Sequence, residues 1–164
     1  MEEEDTLTLR LASQEDCRRL WEWANDPDVR NFSFSSEAIL WEDHVRWFNL
    51  KLNDSNCITY IALNKQGSAI GQIRYDQINQ KDAIISLIVD KEYRHQGYGT
   101  KLILLGSHEI FTITNIQTLH AYIKPTNFAS RQAFIKAGFQ DMGSSTINGN
   151  LAILLVQSQK ISLK

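Results

Sequence analysis

The chain has 164 residues, a net charge of −2, 43% apolar and 22% charged residues, which suits one globular domain with a sizeable core. A near-neutral total gives no pull toward nucleic acid or an anionic membrane surface, and no apolar run reaches the ~18 residues of a membrane span. The opening "MEEED" is not a secretion signal, and Cys17 and Cys57 lack metal-ligand or CxxC spacing, so no metal and no disulfide are implied and a cytoplasmic setting is expected.

Residues 1–5 are expected to fray ahead of a single domain. "LTLRLA" alternates Leu7, Leu9 and Leu11 with polar residues, the period of a half-buried strand. "SQEDCRRLWEWAND" opens on Ser13 as a cap, with Asp16 three residues on, and then repeats Cys17, Leu20, Trp21 and Ala24 at helical steps. That helix should stop near Asn25–Pro27, because the residue before proline avoids the helical region. A loop over "RNFSFSSE" leads to a second helix in "EAILWEDHVRWFNLKL". "CITYIALN" and "AIGQIRYDQI" form a hairpin about the "KQGS" turn. "DAIISLIVD" is apolar on both faces and belongs at a sheet centre. "TKLILLGSHEIF" is a helix, "IQTLHAYI" a strand, "NFASRQAFIKAG" a helix, and "FQDMGSSTI" and "LAILLVQSQ" are strands around "NGN". The predicted order β-α-α-β-β-β-α-β-α-β-β gives an α/β (α+β) layered fold, a mixed, largely antiparallel sheet of six to seven strands flanked by about four helices.

"RHQGYG" falls between the central strand and the next helix. A helix start carries unpaired N–H groups and the positive end of the dipole. Gly97 and Gly99 remove β-carbons, so successive amides can curl around an anion. Arg94 and Gln96 add side-chain donors and Thr100 a hydroxyl. Such a site suits a diphosphate. Two glycines also serve any tight turn, and the Lys-Ser/Thr of a P-loop is missing.

Arg94-x-x-Gly97-x-Gly99 after "IVD" resembles the acetyl-coenzyme A signature of the GCN5-related N-acetyltransferases (GNAT). Downstream, "NFASRQAFIKAGF" resembles that family's second signature through Asn127, Ser130, the aromatic Phe134 and Gly138-Phe139. The element order is similar to the family's over nearly the whole chain. The resemblance implies acetyl-coenzyme A as cosubstrate and a splay beside the central strand. There Leu87, Ile88 and Val89 would offer backbone groups to the pantetheine. Arg94, His95, Gln96, Gly97, Tyr98, Gly99 and Thr100 would hold the pyrophosphate, and Asn127, Ser130 and Phe134 would flank the cofactor arm. Many members carry tyrosine where Phe134 stands. That hydroxyl is held to protonate the departing thiolate, which phenylalanine cannot do; a packed core aromatic is the other reading.

The resemblance further implies direct attack by a neutral amine, with a backbone N–H, that of Val89, polarising the thioester carbonyl. A lysine-like amine of pKa ~10.4 needs a proton path. No glutamate lies in the central strand, so Ser86, His120, Tyr122 and His44 are the relay candidates. Alternation sets Leu119 and Ala121 on one face and leaves His120 open to the other side. The resemblance implies too that the acceptor is chosen mainly by the first two helices. There Asn25, Asp26, Arg30, Phe34, His44 and Trp47, with Tyr75, are candidate acceptor contacts. Trp21, Trp41 and Trp47 also suit a core, and Asp26 suits a cap beside Pro27.

"W-x-N-D-P-x-V-R", then "S-F" and "H-x-x-W-F", resembles the acetyltransferases that modify the 4-amino group of UDP-linked amino-dideoxy sugars in the pseudaminic-acid pathway. A small-molecule amine, a nucleotide sugar, is the expected partner, with no nucleic acid or membrane and with a homodimer open. Two other readings remain: a protein N-terminal or ribosomal-protein acetyltransferase, and a non-catalytic acetyl-coenzyme A sensor.

Overall fold

The computed structural model describes residues 6–160; the expected frayed leader, 1–5, lies outside them. The apolar runs form seven strands: β1 (Thr8–Leu11), β2 (Cys57–Leu63), β3 (Ala69–Gln77), β4 (Asp82–Val89), β5 (Thr118–Ile123), β6 (Gln140–Ile147) and β7 (Asn150–Ser158). They pair in one sheet in the order β1-β2-β3-β4-β5-β7-β6. All pairings are antiparallel except β4–β5.

That parallel pairing is short. Asp82, Ala83 and Ile84 match Thr118, Leu119 and His120, and the ladder then ends. β4 runs on beside β3 as far as Val89, and β5 runs on beside β7 as far as Ile123. The sheet therefore opens as a V whose arms are the ends of β4 and β5, which is the expected splay.

Five α-helices cover the sheet: α1 (Cys17–Ala24), α2 (Pro27–Phe32), α3 (Trp41–Leu52), α4 (Tyr98–Ile113) and α5 (Phe128–Lys136). α1 and α3 pack on one face, where Leu20, Trp23 and Phe48 meet Ile61. α4 and α5 pack on the other, over a larger core that includes Ile73, Leu102, Ile103, Leu119, Phe134 and Leu155. α4 lies close to the sheet because residue 106 is glycine. A β-carbon there would run into the Tyr75 hydroxyl and the Ile73 side chain.

α2 corrects the expected loop over "RNFSFSSE", whose first three residues, 30–32, belong to a helix that starts at Pro27. The turn before Pro27 does end α1. Pro27 then occupies the first turn of a new helix, where its missing N–H costs nothing. Asp26 caps that helix by accepting from the amides of Asp28 and Val29. The same two residues stop one helix and start the next. The other helices and all seven strands fall where the periodicity put them, within a few residues.

Candidate active site

A cleft of about 1300 Å³ runs through the V and out along both helical layers. A pocket for one drug-sized ligand holds roughly 300–1,000 Å³, so this cleft has room for a long cofactor arm and a second small molecule. One end is lined by Tyr93 to His95, Gly97 to Thr100, Asn127, Ser130 and Phe134; the other by Arg30, Phe34, His44, Trp47, Gln72, Arg74, Asp76 and Ser86.

The strand arm sets the middle. The Asp90 amide donates to the Ile70 carbonyl, 2.8 Å away. Antiparallel ladders alternate, so the N–H and C=O groups of Leu87 and Val89 turn from β3 toward the gap left by β5. The Val89 carbonyl is taken by Arg94 Nε at 2.9 Å. The amides of Leu87 and Val89 are thereby aimed into the split, where a ligand's carbonyls can accept from them.

At the top of β4 the chain makes a short 3-10 turn, Lys91–Tyr93, and swings into α4. Gly97 has φ +82, in the left-handed region, and leads into the first turn of α4. A β-carbon at Gly97 would meet nothing, so the backbone angle, not crowding, selects glycine there. Gly99 has ordinary φ, and its absent β-carbon would sit 3.9 Å from that of Ala133, an ordinary contact with α5. The opening turn of α4, Gly97 to Thr100, lines the cleft, where a helix start can receive an anion.

The chain matches the family described as "Acetyltransferase (GNAT) domain" over residues 6–140. It belongs to the GNAT acetyltransferases. The expectation of an acetyl-coenzyme A-dependent N-acetyltransferase stands with that membership. Among curated proteins it is 24% identical to aminoglycoside N(6′)-acetyltransferase type 1 of Klebsiella pneumoniae, over 95% of this chain and 85% of that one. It is 22% identical to an uncharacterized protein of Methanocaldococcus jannaschii, over 84% of this chain and 29% of that one. Among solved structures, AAC(6′)-Ib in complex with ribostamycin and coenzyme A superposes with a TM-score of 0.84 at 22% identity, covering 94% of each chain. Spermidine N-acetyltransferase from Vibrio cholerae, in complex with coenzyme A and spermine, gives 0.83 at 20% identity, covering 93% of this chain and 95% of that one. These named relatives are aminoglycoside and spermidine enzymes rather than nucleotide-sugar ones.

Within this acetyltransferase the predicted residues divide sharply. Leu87, Ile88, Val89, Arg94, His95, Gly97, Tyr98, Gly99, Thr100, Asn127, Ser130 and Phe134 all line the cleft. Gln96 does not line it: its Nε2 donates to the Glu92 carbonyl at 3.0 Å, which pins the side chain to its own turn. Arg94 lines the cleft with its guanidinium already engaged, by the Val89 carbonyl and by Asp26 at 3.1 Å. Asn127 caps α5, accepting from the Ser130 amide at 3.2 Å. Phe134 is buried and meets Phe139 edge-on at 4.9 Å, so the core-aromatic reading describes its packing.

Ser86 and Tyr122 face the cleft, and His120 does not line it. His120 lies at the crotch of the V with its Nε2 3.5 Å from Asp82 Oδ1. His44 is buried where α3 meets α1, and its Nε2 lies 2.8 Å from the Cys17 carbonyl. A carbonyl only accepts, so Nε2 carries the proton. Burial pushes the His44 pKa down and keeps the ring neutral, while the Cys17 carbonyl pulls weakly the other way.

The acceptor candidates need more correction. Tyr75 points to the opposite face of the sheet, and its buried hydroxyl lies under α4 beside Gly106. Asn25 clamps the backbone of Ile39 at both N–H and C=O, 2.8 and 3.0 Å away, and Asp26 is spent on the α2 cap and Arg94. Neither lines the cleft. Arg30 lines it but donates to the carbonyls of Ala24, Ser35 and Glu37 and to Ser33 Oγ, so it staples the loop after α2. Phe34 and Trp47 are in place.

Sequence reading missed Arg74 and Asp76. Arg74 lies over the Trp47 ring, 5.0 Å from its centroid, and its Nε donates to Asp76 Oδ2 at 2.7 Å. Lys51 donates to the other Asp76 oxygen at 2.7 Å. Burial alone would raise the Asp76 carboxyl, and the two cations hold it below the ordinary range. The signal was present in "GQIRYD", whose polar residues alternate on one face of a central strand.

Proposed function

We propose that this acetyltransferase moves the acetyl group from acetyl-coenzyme A to a primary amine on an anionic small molecule, a UDP-linked amino-dideoxy sugar, by direct attack. The observation that carries the acceptor reading is charge. Asp28, Asp43 and Asp76 are the carboxylates that line the cleft, and each already faces a basic residue: Arg94, Arg46, and Lys51 with Arg74. Arg30, Arg74, Arg94, Lys124 and Lys136 line it as well; Arg74 and Arg94 are shared with those carboxylates and Arg30 and Lys124 with backbone carbonyls, and the lining keeps an excess of positive charge. Polycations such as aminoglycosides or spermidine need open carboxylates. A nucleotide diphosphate needs the reverse, and a guanidinium supported on an indole is well placed to meet one.

In this reading the amides at the start of α4, with Thr100 and Ser130, hold the cofactor's pyrophosphate. Leu87 and Val89 bind the pantetheine across the V, and the Val89 N–H polarises the thioester carbonyl. The neutral amine attacks, the C–N bond forms and the C–S bond breaks. The amine's proton passes through Ser86, Tyr122 or water, and the thiolate leaves as an anion because Phe134 offers no proton. A sugar amine beside electron-withdrawing oxygens is less basic than a lysine, so more of it is neutral near pH 7. Cys17 and Cys57, both free thiols, fit a cytoplasmic enzyme.

A thiol-release assay tests this, with a UDP-4-amino sugar, kanamycin, spermidine and N-terminal peptides as acceptors. The expected result is fastest release with the sugar. Faster turnover of spermidine or kanamycin overturns the anionic acceptor, preference for peptides moves the enzyme to protein substrates, and cofactor binding without release on any amine leaves a sensor.

A further inference from the structure

The face of β3 that carries Arg74 and Asp76 also carries Gln72, two residues earlier. Gln72 stands opposite Ile88 of β4, the neighbour of Val89. It is only 6% exposed, and the cleft is where it opens. Arg74 Nε and Lys51 take the two Asp76 oxygens between them. Among the described residues no group hydrogen-bonds the Gln72 carboxamide.

Its carboxamide is not shut away: it opens to the cleft rather than standing among the enclosed polar atoms that lack a partner. A carboxamide that a ligand covers without matching costs about 1–3 kcal/mol, so a ligand seated over Gln72 must supply its hydrogen bonds. The surroundings would accept a methionine or leucine: Ile61 is its cross-strand neighbour on β2 and Ile88 on β4. In the open cleft water can serve the carboxamide, and whatever displaces that water has to offer matching groups. We propose that Gln72 is an acceptor-binding residue, its carbonyl oxygen taking a hydrogen bond from the attacking amine and its NH₂ giving one to an oxygen on the adjoining carbon.

The inference rests on the acetyl-transfer reading above and narrows its substrate. A carboxamide offers one acceptor and two donors in a single plane. It therefore matches an amine with a hydroxyl beside it, as on a sugar ring, better than an amine on a plain alkyl chain. It does not remove a proton. By fixing one N–H of the amine it leaves the lone pair free to face the thioester carbon, and orientation of that kind raises the rate of attack.

The test is Gln72→Met, which keeps length and volume and removes both hydrogen bonds. It is read as kcat/KM on a UDP-4-amino sugar and on an unhydroxylated alkyl amine, and as the Kd for acetyl-coenzyme A. The expected result is a fall of about tenfold on the sugar, a smaller fall on the alkyl amine and an unchanged cofactor Kd. Gln72→Glu returns an acceptor oxygen without the donor, so it should recover rate on the alkyl amine and not on the sugar. Equal losses on both amines, no loss, or a parallel loss of cofactor affinity overturns the assignment. If the unaltered enzyme acetylates no amine, the transfer reading fails instead. Calorimetric binding of the sugar then decides Gln72: weaker binding to the methionine variant supports it and equal binding overturns it.

Discussion

Single side chains show how far residue type can mislead about role. Arg30 and Arg94 are the residues one would choose to grip an anion, yet their donors go largely to backbone carbonyls and to Asp26. Nothing in the local sequence announces this, because the acceptors come from loops folded back on them. His44 is clearer. Its ring is buried among Trp41, Trp47 and Phe48 and is held neutral. The unfolded chain takes up a proton below about pH 6.5 and the native ring resists it, so stability present above that pH is lost as pH falls through it. The limiting slope is about 1.4 kcal/mol per pH unit. Urea midpoints at pH 7.5 and 5.5 should differ in the native chain and differ less in His44→Phe; equal differences would contradict it.

The elements were largely legible, because period-2 and period-3.6 patterns report which side of a strand or helix is buried. α2 was not, since proline was read only as a stop. The glycines of the anion loop now separate into two roles. Gly97→Ala should lower stability by about 1 kcal/mol, since φ +82 disfavours any β-carbon. Gly99→Ala should leave stability unchanged or slightly raised, because its β-carbon finds only ordinary contact. If Gly99 keeps the amides bare for the diphosphate, its alanine variant should still weaken acetyl-coenzyme A binding. Thermal melts and calorimetry on the two variants make that comparison. Gly106 and Tyr75 form a second pair. Gly106→Ala should cost about 1–3 kcal/mol through overpacking, and adding Tyr75→Phe should return part of it by removing the opposing hydroxyl. A double-mutant cycle with no coupling would break that link.

At the scale of the molecule the governing feature is the V between β4 and β5. Its existence followed from the family resemblance, and its depth could not, because a parallel ladder's length depends on contacts across the whole sheet. It has a measurable signature. The amides of Leu87 and Val89 should exchange with solvent quickly in the free protein and slow on binding acetyl-coenzyme A. Those of Ser86 and Ile88, turned toward β3, should be protected throughout. Uniform protection of all four would mean the sheet is closed.

α2 bears on how that V works. Its capping residue Asp26 is held by Arg94, which follows β4, and the carbonyl of Asn31 is held by Lys124, which follows β5, at 3.1 and 2.8 Å. One short helix is thus moored to both banks of the channel. An outward swing of either bank would break one of these bonds, so any widening of the channel is coupled to the loosening of the six residues of α2.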